Sequence, residues 1–268
     1  MTVCRYHRLV QKKRTLLSWS SGKDCAWALH VLKQDSTINL VGLFTTVNEE
    51  FHRVAMHALA YHRGLLSEGV LGCAKHFPGH GDVYTDSHLD MPEIDKPLSS
   101  LDSSELFPYK ALIKDGIPSI MTGHLHLPQL DIRPNRPASL SHLIIDTLLK
   151  QQMGFTGLVI TDALNMKGVS KYYLAGDLEL EAFMAGNDIL LFSQDVSAAV
   201  KKISDAIENG TITEERLEES VKKILKAKYF VGLNKTRTIS AENITTDLNQ
   251  YTSSIRSLVA KEATTLLS

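Results

Sequence analysis

No sign of charge dominates this chain of 268 residues, and no apolar run in it is long. Lys plus Arg number 29 against 30 for Asp plus Glu, which leaves a net charge of −1 and excludes the basic field expected of a nucleic-acid or anionic-membrane binder. No stretch approaches the roughly 20 apolar residues of a membrane span. The start, Met1–Arg14, is basic, but the apolar piece after it is short and interrupted by Ser18, Trp19 and Ser20, which argues against a secretory signal. Cysteine is scarce: Cys4, Cys25 and Cys73 are scattered and odd in number, with no metal spacing and no disulfide framework. A cytoplasmic setting is the expectation, with no cofactor required and with neither nucleic acid nor membrane as partner.

What is present is an ordinary globular composition, 43% apolar and 22% charged, long enough for one large domain or two modest ones without staples. The most informative stretch is Lys75–Pro92, which sets Lys75, His76, His80, Asp82, Asp86, His88 and Asp90 around Gly79 and Gly81. An apolar run from Val70 leads into it. Titratable groups just past a buried strand suggest a polar pocket at a strand end, and the glycines let backbone come close to something.

The periodicity alternates β and α. It predicts strands at Thr15–Ser20, Ile38–Thr45, Val70–Lys75, Ile117–Thr122, Leu158–Thr161 and Asp188–Phe192. Helices are expected at Asp24–Lys33, Glu49–Ser67, Asp102–Leu112, from a Ser139 cap to about Gln152, and at Asp177–Ala185, Val196–Glu208, Thr213–Tyr229 and Ile255–Leu267. Strands apolar on both faces imply parallel strands covered by helices. An eight-fold barrel of this kind needs about 250 residues; the roughly 170 from Tyr61 to Leu233 hold only four of the strands, half such a count.

Four stretches, GVLGCAKHFPGHGDVYTDSHLDMP, IPSIMTGHLHLP, GFTGLVITDALNMKGV and AGNDILLF, closely resemble the family 3 glycoside hydrolases, in their β-N-acetylhexosaminidase branch. The resemblance runs over about residues 60–233 and covers the second half of that family's (β/α)8 barrel; the tail SLVAKEATTLLS looks like the start of a following domain. The opening, TLLSWSSGKDCAWALHVL with VGLFTTVNEEFHRVAMHA, resembles instead the start of the PP-loop ATP pyrophosphatases, near the diphthine–ammonia ligase group. The expected fold class is therefore α/β: an incomplete or hybrid (β/α) barrel of the TIM type, half a barrel plus a Rossmann-like β-α-β-α segment. Its expected parts are residues 1–59 as the PP-loop-like segment, 60–233 as the half barrel, and 234–268 as a linker and the start of another domain.

The resemblance implies a retaining glycosidase that releases terminal β-N-acetylglucosamine-type sugars, with a carbohydrate as its partner. Asp162, at the end of its strand, is then the nucleophile, and His88 with Asp86 the general acid/base. Lys75 and His76 hold sugar hydroxyls; Met166 lies on the pocket floor; His80 serves loop architecture. His124 and His126 have a structural or substrate-lining role, since two histidines without a third ligand are weak evidence for metal. In the other resemblance Ser20, Ser21, Gly22, Lys23 and Asp24 form a phosphate-binding loop at a helix N-terminus. The family's early-strand Asp and Arg have no counterpart in Met1–Leu59. An ATP-binding ligase fragment and a catalytically silent hybrid stay open as alternatives, as does a homodimer in which two chains fill each other's opening.

Overall fold

The computed structural model describes residues 13–18, 38–44, 51–80, 83, 91–235, 242–262 and 264–266. They fall into two compact units, one of residues 1–49 with 238–268 and one of residues 50–237. In the first unit, β1 (Lys13–Ser18) pairs in parallel with β2 (Ile38–Phe44) and antiparallel with β6 (Thr264–Leu266), in the order β2-β1-β6. The same unit holds α9 (Ile244–Asn249) and α10 (Thr252–Glu262). The C-terminal stretch with helical spacing thus ends at Glu262, and Thr264–Leu266, a β-branched pair and a leucine, supplies an edge strand.

The second unit opens with α1 (Phe51–Ser67), which closes at Gly69 with φ +72° while Val70 N–H donates to the Leu65 carbonyl. Val70 belongs to that cap, so β3 starts later than the apolar run suggests and spans Cys73–Phe77. Then come α2 (Leu98–Ser103), α3 (Leu106–Lys114), β4 (Ser119–Thr122), a single 3-10 turn at Ala138–Leu140, and α4 (Leu143–Gln152), which is wound as a π-helix. β5 (Leu158–Thr161) follows, then α5 (Lys167–Ser170), α6 (Asp177–Ala185), α7 (Val196–Glu208) and α8 (Glu214–Phe230). The strands form a parallel sheet in the order β3-β4-β5. The expected strand after α6 is reduced to one parallel bridge, Ile160 to Ile189; Leu191 N–H turns to the Thr161 hydroxyl instead, and Phe192 adopts φ +50°.

Two helices differ from their spacing. The single helix expected over Asp102–Leu112 is broken at Ser104–Glu105. Pro108 has no N–H for the Ser104 carbonyl, and its ring would press on that carbonyl in an unbroken helix; restarting at Leu106 puts Pro108 in the first turn. Ser139 does not cap α4: Ser141 does, its carbonyl accepting from Ile145 N–H and its Oγ from Ile144 N–H at 3.4 Å. The terminal helices obey local chemistry: Asp195 caps α7 by accepting from Ala198 N–H at 2.9 Å, and Thr213 caps α8 by accepting from Arg216 N–H.

The core lies between the sheet and its helices. Phe77, Leu101, Leu106, Ile120, Leu125, Ile144, Leu149 and Val159 are fully buried there, with Phe77 meeting Tyr109 edge to face at 5.2 Å. Asp188 ties α8 to β5. Its carboxylate, with no exposed surface, accepts from Val159 N–H at 3.0 Å and Ser220 Oγ at 2.6 Å, with Arg216 at 3.5 Å and Lys223 at 3.4 Å. A buried carboxylate this fully satisfied holds its neighbours in one register.

Candidate active site

The C-terminal ends of β3, β4 and β5 carry most of the described chemistry-bearing residues. Asp162 follows β5 directly, its N–H donating to the Thr122 carbonyl at 2.9 Å. Its Oδ1 accepts from Ala163 N–H at 2.8 Å, leaving Oδ2 toward His76, whose Nε2 stands 3.6 Å away. His76 comes from β3, two strands over, so the sheet brings together groups 86 positions apart in the chain. Burial pushes the His76 ring below the usual histidine range; Asp162 opposes this, while Lys75, His80 and His124 add to it. The His80 ring lies edge-on to His76 with centroids 5.9 Å apart. Lys75 is exposed on the same strand.

Glycine does here what its placement suggests. Gly79, at φ +140°, lies against Glu105: a β-carbon on it would stand 2.5 Å from Glu105 Cβ. Glu105 is itself buried and paired with Lys96 Nζ at 2.7 Å. Gly123, beyond β4, leaves room for the His76 side chain, 3.2 Å from where a β-carbon would sit.

His124 and His126 diverge. His126 Nδ1 lies 3.3 Å from Glu93 Oε2, on the bridge that joins Glu93 to His126. His124 is 1% exposed and both its ring nitrogens meet protein: Nδ1 is 2.7 Å from Ser139 Oγ and Nε2 is 3.1 Å from the Ala163 carbonyl. It therefore supports the Asp162 loop and offers no polar atom to a sugar. Burial lowers the His124 pKa, against the opposing pull of the Ala163 carbonyl and Asp162. Among the described residues no group of three or more His, Cys, Asp and Glu is arranged to hold a metal ion. Met166 is buried; its N–H donates to the Ala163 carbonyl, and it opens α5. Asp86 and His88 lie outside the described residues, as do Ser20–Asp24. Sequence spacing missed Ser139 and Asn187. The one signal for Asn187 was a polar residue inside the apolar AGNDILLF run.

A short parallel sheet whose strand-end loops set a carboxylate beside an imidazole defines an α/β protein of the kind that builds enzyme pockets at its strand ends. The sequence matches the family described as "Glycosyl hydrolase family 3 N terminal domain" over residues 45–227. The chain belongs to this family. It is 34% identical over 189 residues to Beta-hexosaminidase A of Pseudoalteromonas piscicida, covering 63% of this chain and 32% of that protein. The Beta-hexosaminidase of Idiomarina loihiensis is 30% identical over 221 residues, 81% of this chain and 63% of that one. A solved glycoside hydrolase family 3 beta-N-acetylglucosaminidase from Paenibacillus sp. superimposes with a TM-score of 0.67 and 34% identity, over 72% of this chain and 37% of that chain. The chain thus spans from about a third to under two thirds of the length of these relatives. The family match begins downstream of Ser20–Asp24, and both of these sequence relatives are named beta-hexosaminidases.

Proposed function

We propose that the protein is a retaining glycoside hydrolase that releases terminal β-N-acetylglucosamine-type sugars, with Asp162 as the nucleophile. The observation that carries this reading is the Asp162 carboxylate at the end of β5, one oxygen tied by Ala163 N–H and the other turned toward His76 at 3.6 Å. A carboxylate so placed can attack an anomeric carbon and form a glycosyl-enzyme, while a neutral imidazole beside it can accept or donate to a sugar hydroxyl. Lys75 would hold a second hydroxyl. His88, polarised by Asp86, would protonate the leaving oxygen and then activate water; both residues lie outside the described ones. None of these steps requires a cofactor. The order β3-β4-β5 followed by the Ile189 bridge, each in parallel with the last, supports the half-barrel reading of the fold.

The test is release of nitrophenol from 4-nitrophenyl N-acetyl-β-D-glucosaminide. Asp162→Asn should cost on the order of 10⁴-fold or more in kcat, as loss of a covalent nucleophile does elsewhere. Mass spectrometry of the quenched enzyme should find one added sugar on the peptide that contains Asp162. Full activity in Asp162→Asn would remove the reading.

A further inference from the structure

The loop that presents Asp162 is gripped from beneath by buried polar groups that take no part in the chemistry proposed above. His124 Nε2 lies 3.1 Å from the Ala163 carbonyl. A carbonyl oxygen can only accept, so the ring hydrogen sits on Nε2, and in the neutral ring Nδ1 accepts from the Ser139 hydroxyl at 2.7 Å. Ser139 is in turn held at both backbone groups. Its N–H donates to the Gly123 carbonyl at 3.2 Å, and its carbonyl accepts from Asn187 Nδ2 at 2.8 Å. Asn187, wholly buried, also donates to the Ala182 carbonyl at 2.6 Å and accepts from Thr122 Oγ1 at 3.0 Å. The relay ends at the residue that matters: Ala163 N–H donates to Asp162 Oδ1. Ala163 is therefore held through its carbonyl by two donors, the Met166 N–H at 3.1 Å and an imidazole whose own direction is set by two further residues. Its N–H is thereby aimed at one oxygen of the carboxylate.

We infer that His124 is a positioning residue for Asp162: its Nε2–H, aimed by Ser139 and Asn187, helps to hold the Ala163 carbonyl and so fixes how the plane of the Asp162 carboxylate is turned toward His76. The kinetic consequence rests on the glycosidase reading; the geometric one does not. Attack on carbon needs reacting atoms within about 3–3.5 Å, and a misplacement of about 1 Å can cost 10²-fold.

Two variants separate positioning from simple structural support. His124→Gln places an N–H donor near the Nε2 position and keeps the bond to Ala163. His124→Asn places its donor near Nδ1 and loses that bond. With the aryl N-acetylglucosaminide as substrate, His124→Gln should stay within about fivefold of the parent kcat, whereas His124→Asn should lose on the order of 10²-fold in kcat with KM changed by less than about threefold. Amide hydrogen exchange at Ala163 should quicken about tenfold or more in His124→Asn and not in His124→Gln. Equal kcat losses in both variants that track their melting temperatures, or unchanged Ala163 exchange in His124→Asn, would overturn the inference. Where His124→Asn does not fold, Ser139→Ala decides. It keeps the imidazole but removes its aim, so kcat should fall and Ala163 exchange should quicken; no change in either overturns the inference. A parent protein that releases no nitrophenol defeats the glycosidase reading alone, and the Ala163 exchange rates then decide the positioning role.

Discussion

Adding one methyl group at Gly79 tests how the chain leaving β3 is seated against Glu105. Two costs are separable. The backbone at φ +140° lies where a side chain is rarely tolerated, which costs about 1–3 kcal/mol. The new β-carbon would then stand 2.5 Å from Glu105 Cβ and 2.8 Å from its Cγ. Relief would need the stem of Glu105 to move, not a flexible tip, and that stem sits between α2 and α3 with its carboxylate buried and bonded to Lys96. Overpacking of this kind costs about 1–3 kcal/mol. Together Gly79→Ala should destabilise by about 4 kcal/mol, taking the middle of each range. A unit of this size loses about 2–4 °C in Tm per kcal/mol, so a fall of about 8–16 °C is expected. Differential scanning calorimetry and urea unfolding measure it. A second substitution sharpens the reading. Glu105→Ala in the Gly79→Ala background removes the 2.8 Å contact but leaves the 2.5 Å one, so it should recover little; Glu105→Gly removes both and should recover the steric share. A Tm for Gly79→Ala within about 2 °C of the parent would refute the close approach, because no backbone adjustment that small relieves an overlap of that depth.

Asp188→Ala should cost about 3–5 kcal/mol, since it leaves Arg216, Lys223 and Val159 N–H without their shared acceptor; a loss under about 1 kcal/mol in urea melts would mean that the ion pairs carry no weight. Stability should also fall as pH drops below about 6.5. His76 and His124 have lowered pKa values in the folded chain, so between those values and the unfolded one near 6.5 the unfolded state binds more protons, and stability present above pH 6.5 is lost as pH falls. His124→Gln should flatten that slope by up to about 1.4 kcal/mol per pH unit, one proton's worth; unfolding free energies with parallel pH profiles for parent and variant would contradict it.

Much of the architecture is local in origin and was open to reading. α6, α7 and β5 fall at the residues their periodicity marks, because an amphipathic repeat and a capping residue act within a few positions of each other. Where local signals competed, spacing failed. Pro108 split a helix whose apolar pattern runs straight through it, and the strand after α6 dissolved because the Leu191 amide found the Thr161 hydroxyl. Ser139 looked like a helix cap because serine before an apolar run usually is one; in the folded chain its hydroxyl meets an imidazole 15 positions away.

By itself the sequence determined the chemistry available: a carboxylate after a buried strand, histidines and a lysine around glycines, and the order of β and α elements. Tertiary structure alone decided which of these groups meet. Side-chain type is a property of one position, whereas the 3.6 Å approach of His76 to Asp162 depends on β3 and β5 flanking β4, with the β3–β4 pairing shifting register between Ala74 and Phe77. The grip of Asn187, Ser139 and His124 on the Asp162 loop likewise exists only once segments up to 65 positions apart are packed together and their buried polar groups find one another.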